Sequence, residues 1–397
     1  MNNASNKDAR TSEFLVAHGG PFYALQKQLG LLRADAFRAG SRAVLFVGLA
    51  WGMPLVLSII AGDAYGAAAE NPYLLELGVW ARFFIAVGLF MLMERQVEQR
   101  LRKHLVQFSE APLLAPGAFA AAAMAVTKAL KRRDAYLAEA TCLGIAVFIS
   151  FATYNKLLDV DTSSWLVHGL PEGTALTMAG WWCVLISNPL FWFLLLRWLW
   201  RIRVWSMLLR DLAALDLRLV ATHPDGRGGL AFIGQYPNAY TMFVFAVSCV
   251  VGAAVAQQFL NSGLRPETYG MLMTGWLLIV LALFAWPLQA FRKPLTRLKE
   301  QTLLACSVQA TRYHRAAERE LLGRNIDAAE DADSSAASDI PDPSKTFEVV
   351  KKLSTSVFSR AALLPVSAAA LLPLLAAGAT QLPFKELLKV VKRLLLF

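Results

Sequence analysis

The sequence predicts an all-α, polytopic membrane protein with six transmembrane helices arranged as three hairpins. Three observations support this class. The chain has 397 residues, of which 56% are hydrophobic and 17% are charged, whereas soluble domains carry about 25% charged residues. Apolar runs long enough to cross a hydrocarbon layer of about 30 Å recur along the chain. Arginine and lysine cluster beside alternate ends of these runs, as the positive-inside tendency requires.

The clearest run covers 175–196, contains no charged residue, and is followed by Arg197, Arg201 and Arg203 among tryptophans. Tryptophan favours the headgroup level and arginine favours the cytoplasmic side. The same pattern predicts a six-span domain over 43–293 with a cytoplasmic N-terminus. The predicted spans are 43–61, 78–93, 138–154, 175–196, 240–260 and 269–291, and the predicted cytoplasmic loops are 94–137 and 197–239. We expect the even-numbered spans to continue as cytoplasmic helices, the fourth as far as Val220.

The N-terminal segment, 1–42, is predicted to be cytoplasmic and to contain a short amphipathic helix. Gly19, Gly20 and Pro21 predict a turn followed by a helix start. Phe22 and Leu25 then begin a series of apolar residues at near-helical spacing. Such a helix either lies on the membrane surface or packs on the protein's own core.

Three further segments follow the six spans. A cytoplasmic helix is predicted over 294–325, a disordered acidic linker over 326–345, and a hydrophobic then basic amphipathic segment over 346–397. The apolar part of the last segment is interrupted by Pro365 and Pro373. An interfacial or re-entrant helix keeps the basic tail in the cytoplasm, whereas a seventh span places that tail outside, against the positive-inside tendency. The pattern therefore favours six spans.

Helix breakers and one arginine mark the candidate pore or helix-kink positions, which are Pro54, Asn188, Pro189, Pro287 and Arg82. A proline frees a backbone carbonyl, which either a neighbouring helix or a permeating species can bind. The arginine lies one turn inside the second span, where it either snorkels to water or lines a pathway. No Asp, Glu or His lies in the middle of a predicted span, which argues against a proton relay.

The densest polar motif before the fifth span contains His223, Asp225, Arg227, Gly228 and Gly229. The glycines can form an anion-binding nest, to which the arginine adds charge. We predict that this motif binds a ligand, the alternative being a tight turn that directs the chain into the fifth span. It is not a Walker loop, and one histidine and one aspartate are too few for a metal. We therefore predict no catalytic residue, no metal and no cofactor.

Two segments, HGGPFYALQ near the start and LDLRLVATHPDGRGGL before the fifth span, resemble segments of a group of uncharacterised bacterial multi-pass membrane proteins. The resemblance implies a location in the bacterial cytoplasmic (inner) membrane. It implies no activity.

Three functions are compatible with these observations. The first is an oligomeric channel or transport protein with an electropositive cytoplasmic vestibule that favours anions. The second is a membrane-anchored sensor or assembly factor that binds a partner through its cytoplasmic helices. The third, which fewer residues support, is a membrane-embedded lipid-processing enzyme. The expected partners are the bilayer, anionic lipids and further copies of the chain. We attribute the net charge of +10 to membrane topology rather than to nucleic-acid binding.

Overall fold

The structure is a computed structural model that describes residues 19–28, 30, 39–65, 71–158, 164–170, 173–262, 266–327, 341–358 and 360–379. Within these ranges, seven helices are long and apolar enough to cross a membrane. The chain is thus a helical, multi-pass membrane protein. The long helices are α2 (Ala39–Val47, Gly48–Gly52 and Met53–Ala61 in one run), α3 (Leu77–Val79, Trp80–Ala86 and Val87–Glu110), α5 (Tyr136–Leu158), α6 (Met178–Trp182, Cys183–Ser187 and Asn188–Ala213), α7 (Thr241–Ser262), α8 (Pro266–Leu288) and α11 (Arg360–Ala379).

The remaining helices lie outside the apolar bundle or extend it. They are α1 (Pro21–Gln28), α4 (Phe119–Arg133), α9 (Arg292–Leu322) and α10 (Ser344–Lys351). The helical continuation predicted for the second span is confirmed, because α3 runs without a break to Glu110. The core of the bundle is aromatic, and Phe90, Trp198 and Phe243 bring α3, α6 and α7 together.

Two boundaries of α6 differ from the predicted ones. It begins at Met178 because Thr177 caps its N-terminus by accepting a hydrogen bond from the Gly180 N–H (2.8 Å). The residues before this cap form an antiparallel hairpin, β1 (Val167–Leu170) with β2 (Gly173–Leu176), which is the exception to the all-α prediction within the described residues.

The other end of α6 also corrects the prediction, since the helix ends at Ala213 and not at Val220. The chain becomes extended there because it pairs with the segment after α3. Leu217 forms a bridge with Leu114, and the Arg218 N–H donates to the Leu113 carbonyl (2.7 Å).

Helix α11 packs along the length of α7, and the predicted six-span count is therefore not confirmed. The two helices approach so closely that a Cβ on Gly252 would lie 3.0 Å from the Pro373 carbonyl oxygen. At the next residue of α11, the Leu374 carbonyl accepts a hydrogen bond from the Tyr269 hydroxyl of α8 (2.8 Å). Residues 328–340 of the predicted linker, the tail 380–397 and residues 1–18 lie outside the described ranges.

The two ends of the bundle differ in the charged residues that they hold. Arg42 and Arg197 form ion pairs at one end, which we call the charged end. Asp63 and Glu76 lie at the opposite end, which we call the far end.

Candidate functional site

A single carboxylate, that of Glu94 on α3, binds three arginines inside the charged end of the bundle. Its Oε2 lies 2.5 Å from Arg42 Nη2 on α2. Its Oε1 lies 3.1 Å from Arg201 Nη1 and 3.3 Å from Arg197 Nη1, both on α6. These four side chains are at most 4% exposed. One buried ion network therefore ties three of the long helices together.

A second carboxylate, that of Glu139, adds helix α5 to the network. Its Oε1 accepts a hydrogen bond from Arg197 Nε at 2.8 Å, so this arginine bridges the two acids. We call Arg42, Glu94, Glu139, Arg197 and Arg201 the charge cluster. Buried charges are tolerated where they are paired and hydrogen-bonded, and ionisable residues inside helix bundles of membrane proteins tend to be functional.

The sequence explains why these residues meet. Arg42 directly precedes the first predicted span, Glu94 directly follows the second, Glu139 is the second residue of the third, and Arg197 directly follows the fourth. In a bundle of alternating helices, these four positions share one depth. Arg197 and Arg201 are four residues apart and so share a helix face. The cluster was missed from the sequence because each of these charges, taken separately, marks only the boundary of a span.

Two nitrogen atoms of the charge cluster donate no hydrogen bond to a described residue. Arg42 is 1% exposed, yet its Nε and Nη1 have no hydrogen-bond partner among the described residues. A buried guanidinium without its full set of partners is costly. These N–H groups therefore remain hydrogen-bond donors beside Glu94 that no described residue uses.

The N-terminal segment, residues 19–28, docks on the charge cluster. The Phe22 N–H donates to Glu139 Oε2 (2.7 Å), and Arg197 Nη2 donates to the Gly19 carbonyl (3.5 Å). The Arg197 guanidinium also lies 4.9 Å from the centre of the Phe22 ring, a cation–π distance. This ring packs against Phe46 of α2 and Phe193 of α6. Of the two predicted locations for α1, the structure shows the one on the protein's own core.

The backbone conformation and the close packing of this segment favour glycine at residues 19 and 20. Their φ angles are +122° at Gly19 and +88° at Gly20, a region that residues with a Cβ rarely adopt. A Cβ on Gly20 would lie 2.5 Å from Glu139 Oε1, and one on Gly19 would lie 2.2 Å from Asp134 Oδ1. The positive φ angles and the close approach of Glu139 and Asp134 both favour glycine at these two positions.

The motif at 223–229 forms a turn that is closed by its own hydrogen bonds. Asp225 accepts from the backbone N–H groups of Arg227 (2.8 Å), Gly229 (3.1 Å) and Ala231 (3.0 Å). His223 Nδ1 lies 2.9 Å from the same carboxylate. Burial raises the pKa of Asp225, but these hydrogen bonds outweigh it and hold the pKa below its usual value.

The remaining polar groups of this turn bind the segment that leads into α11. Arg227 donates through Nη2 to the Phe358 carbonyl (2.8 Å) and through Nε to the Ser356 carbonyl (3.2 Å). The Gly226 carbonyl accepts from the Ser354 N–H (2.9 Å). Gly228 and Gly229 have positive φ angles that the turn requires. Because its described polar groups bind the chain itself, ligand binding at this turn stays a prediction.

The helix breakers of α2 and α6 lie next to π-helical turns. Pro54 follows the π turn Gly48–Gly52, and Asn188 and Pro189 follow the π turn Cys183–Ser187. These two turns pack against each other.

Side chains of neighbouring elements bind the carbonyls that such turns free. The Leu49 carbonyl accepts from Trp182 Nε1 (3.0 Å), and the Trp51 carbonyl accepts from the Tyr73 hydroxyl (2.7 Å). The buried Asn188 Oδ1 has no partner among the described residues.

The other two predicted pore or kink residues lie apart from the charge cluster. Pro287 is the penultimate residue of α8 and precedes a 3-10 turn, Gln289–Phe291. Arg82, in a third π turn near the far end, donates to the Gly78 carbonyl (3.2 Å) and lies 3.7 Å from Glu76 Oε1.

In the part of the chain that the structure describes, no three His, Cys, Asp or Glu side chains are grouped as metal ligands. Comparison of the chain with protein-family models, curated proteins and solved structures found no match.

Proposed function

We propose that this protein is a channel or transport protein for anions, and that the charge cluster and the N-terminal segment together close its cytoplasmic end. The observation that carries the proposal is the convergence of three buried guanidinium groups on Glu94, with two N–H groups of Arg42 left unpartnered among the described residues. Guanidinium groups bind carboxylate-like and phosphate-like anions through several directed N–H donors. A ring of arginines is a known way to select anions.

The carboxylates explain how such a site is closed. Glu94 and Glu139 occupy the arginine donors that a permeating anion would need. The N-terminal segment strengthens this closure, since it occupies the remaining carboxylate oxygen and stacks on Arg197. An anion can compete for the guanidinium groups once this segment has moved away.

The orientation of the gate follows from charge. The charged end carries Arg95, Arg100 and Lys103 on α3 and a basic C-terminus on α4, whereas the connection over 62–77 at the far end contains acids but no Lys or Arg. By the positive-inside tendency, the charged end faces the cytoplasm. Location in a bacterial inner membrane and assembly of several copies belong to the same proposal and rest on the sequence.

The alternative of a sensor that binds a partner through the turn at 223–229 has less support. Asp225 is bound within that turn, and Arg227 and the Gly226 carbonyl bind residues 354–358 of the same chain.

The test is anion efflux from liposomes that contain the full chain with Gly20→Ala, compared with Gly30→Ala. Both glycines have positive φ angles, so both substitutions cost about 1–2 kcal/mol of backbone strain. Only the first also places a Cβ against Glu139, because no described residue lies within 4 Å of a Cβ at position 30. We expect efflux to rise several-fold over the wild type with Gly20→Ala and to stay unchanged with Gly30→Ala.

Hydrogen exchange at the Phe22 amide reports separately whether the N-terminal segment has left. Faster exchange in Gly20→Ala without any gain in anion efflux contradicts the proposed function.

A further inference from the structure

A cleft of about 570 Å³ opens beside the charged end, between the end of α6 with its following residues and the start of α9. Its rim carries Arg210 from one wall and Lys293 and Arg297 from the other, opposed by one acid, Asp216. Its lining also includes apolar residues, among them Leu215 and Pro294. The cleft thus combines exposed basic side chains with an apolar part of its lining.

The three cations of the rim differ from the paired arginines near this end. Arg132 is paired with Asp211 at 3.0 Å, and the arginines of the charge cluster are all paired. Arg210, Lys293 and Arg297 are exposed, and none forms an ion pair or a side-chain hydrogen bond with another described residue. Three cations against one carboxylate leave a local excess of positive charge that an anion can neutralise.

The position of the cleft suggests the source of that anion. Lys293 comes two residues after Phe291, where the apolar helix α8 and its 3-10 turn end. Trp286, two turns earlier, is 70% exposed, and exposed tryptophan marks the headgroup level of a membrane. Basic pockets at the ends of membrane helices on the cytoplasmic side bind the headgroups of anionic lipids.

We propose that this cleft binds a phosphate-bearing anion, with Arg210, Lys293 and Arg297 on the phosphate group. A phospholipid can place its phosphate among the basic residues and its acyl chains against the apolar part of the lining, whereas inorganic phosphate uses the basic residues alone. The site is separate from the charge cluster, so the inference does not depend on the proposed function.

The test measures the affinity of the purified full chain in detergent for short-chain phosphatidylglycerol, by the rise of Tm during titration. Phosphatidylcholine of the same chain length and sodium phosphate are titrated in parallel. The test variant carries Arg210→Gln, Lys293→Gln and Arg297→Gln. The matched control carries Arg203→Gln, Arg312→Gln and Lys345→Gln, which remove the same charge from exposed positions outside the cleft.

We expect the wild type and the control to bind phosphatidylglycerol more tightly than phosphatidylcholine. The test variant should bind it more weakly by roughly fivefold for each basic residue removed, on the order of a hundredfold in all. If sodium phosphate raises the Tm as much as phosphatidylglycerol does, the bound ligand is the free anion and not a lipid headgroup.

Two outcomes overturn the proposal. One is an affinity for phosphatidylglycerol and phosphate that is equal in the test variant and the control. The other is an equal response of the wild type to phosphatidylglycerol, phosphatidylcholine and phosphate-free buffer. Equal Tm values of the two variants without lipid show that folding is not the cause of a difference.

Discussion

The structural role of Glu94 depends on its neighbours in the fold and not only on its position in the sequence. In the sequence it is the first charge after an apolar run, which places it at a membrane boundary and nothing more. In the structure it is 1% exposed and bound to three arginines from two other helices. Its depth could be predicted from the sequence. Its partners could not, because the sequence does not say which helices are adjacent.

The residue scale yields a stability prediction at this position. Glu94→Gln removes the charge that holds Arg42, Arg197 and Arg201 together, and breaking a buried ion pair costs about 3–5 kcal/mol. We expect the free energy of unfolding in detergent to fall by about that amount. Glu110→Gln, at an exposed position on the same helix, is expected to change it by about 0.5 kcal/mol or less. Equal changes in the two variants would show that the cluster is not a structural tie.

For the glycines at residues 19 and 20, the local turn could be predicted from the sequence, but their contacts could not. Their position before Pro21 predicts a turn and a helix start, and α1 begins at Pro21. What they approach, Glu139 and Asp134, lies more than one hundred residues away in the chain. Contacts over such separations depend on the packing of whole helices and leave no local pattern.

At the scale of elements, the positions of most helices could be predicted because each is bounded by charges or turn residues. The hairpin before α6 was missed, since Ala175 and Leu176 extend the apolar run although they belong to a strand. From the sequence, the positions of the π turns were recognised only by the helix-breaking residues beside them. Proline and asparagine signal that a helix is interrupted, but the partner of each freed carbonyl lies on another element, such as Trp182 for Leu49.

At the scale of elements, we predict that helix α11 crosses the membrane as a seventh span. It begins beside the turn at 223–229 at the charged end and contacts Tyr269, near the start of α8, at the other. We expect a reporter enzyme that works only outside the cytoplasm to be active when fused after Phe397. The same reporter inserted after Gly323, at the end of α9, serves as the control and should be inactive.

Inactivity of both fusions, with both proteins present in the membrane, would restore the six-span arrangement. In that case α11 enters from the charged end without crossing. The positive-inside tendency argued for six spans, but the close packing of Gly252 on α11 is a reason why this helix can be held across the bilayer against that tendency.

At the scale of the whole molecule, the bundle joins its parts at one end. The charge cluster ties α2, α3, α5 and α6 together, the N-terminal segment lies on it, and the turn at 223–229 anchors the start of α11. If the protein conducts anions as we propose, the opposite charges at one depth stabilise its closed state, and a competing anion weakens that state. On that proposal, the contacts that close the gate are also the contacts that stabilise the core.

The most direct test of the anion gate is the reversal potential of the current across a planar bilayer that contains the purified protein under a salt gradient. We predict a reversal potential near the equilibrium potential of the anion. Arg201→Gln should shift it towards zero, whereas Arg203→Gln, an exposed position on the same helix, should leave it unchanged. A reversal potential near that of the cation, or an equal effect of the two substitutions, would contradict the assignment of the charge cluster as an anion gate.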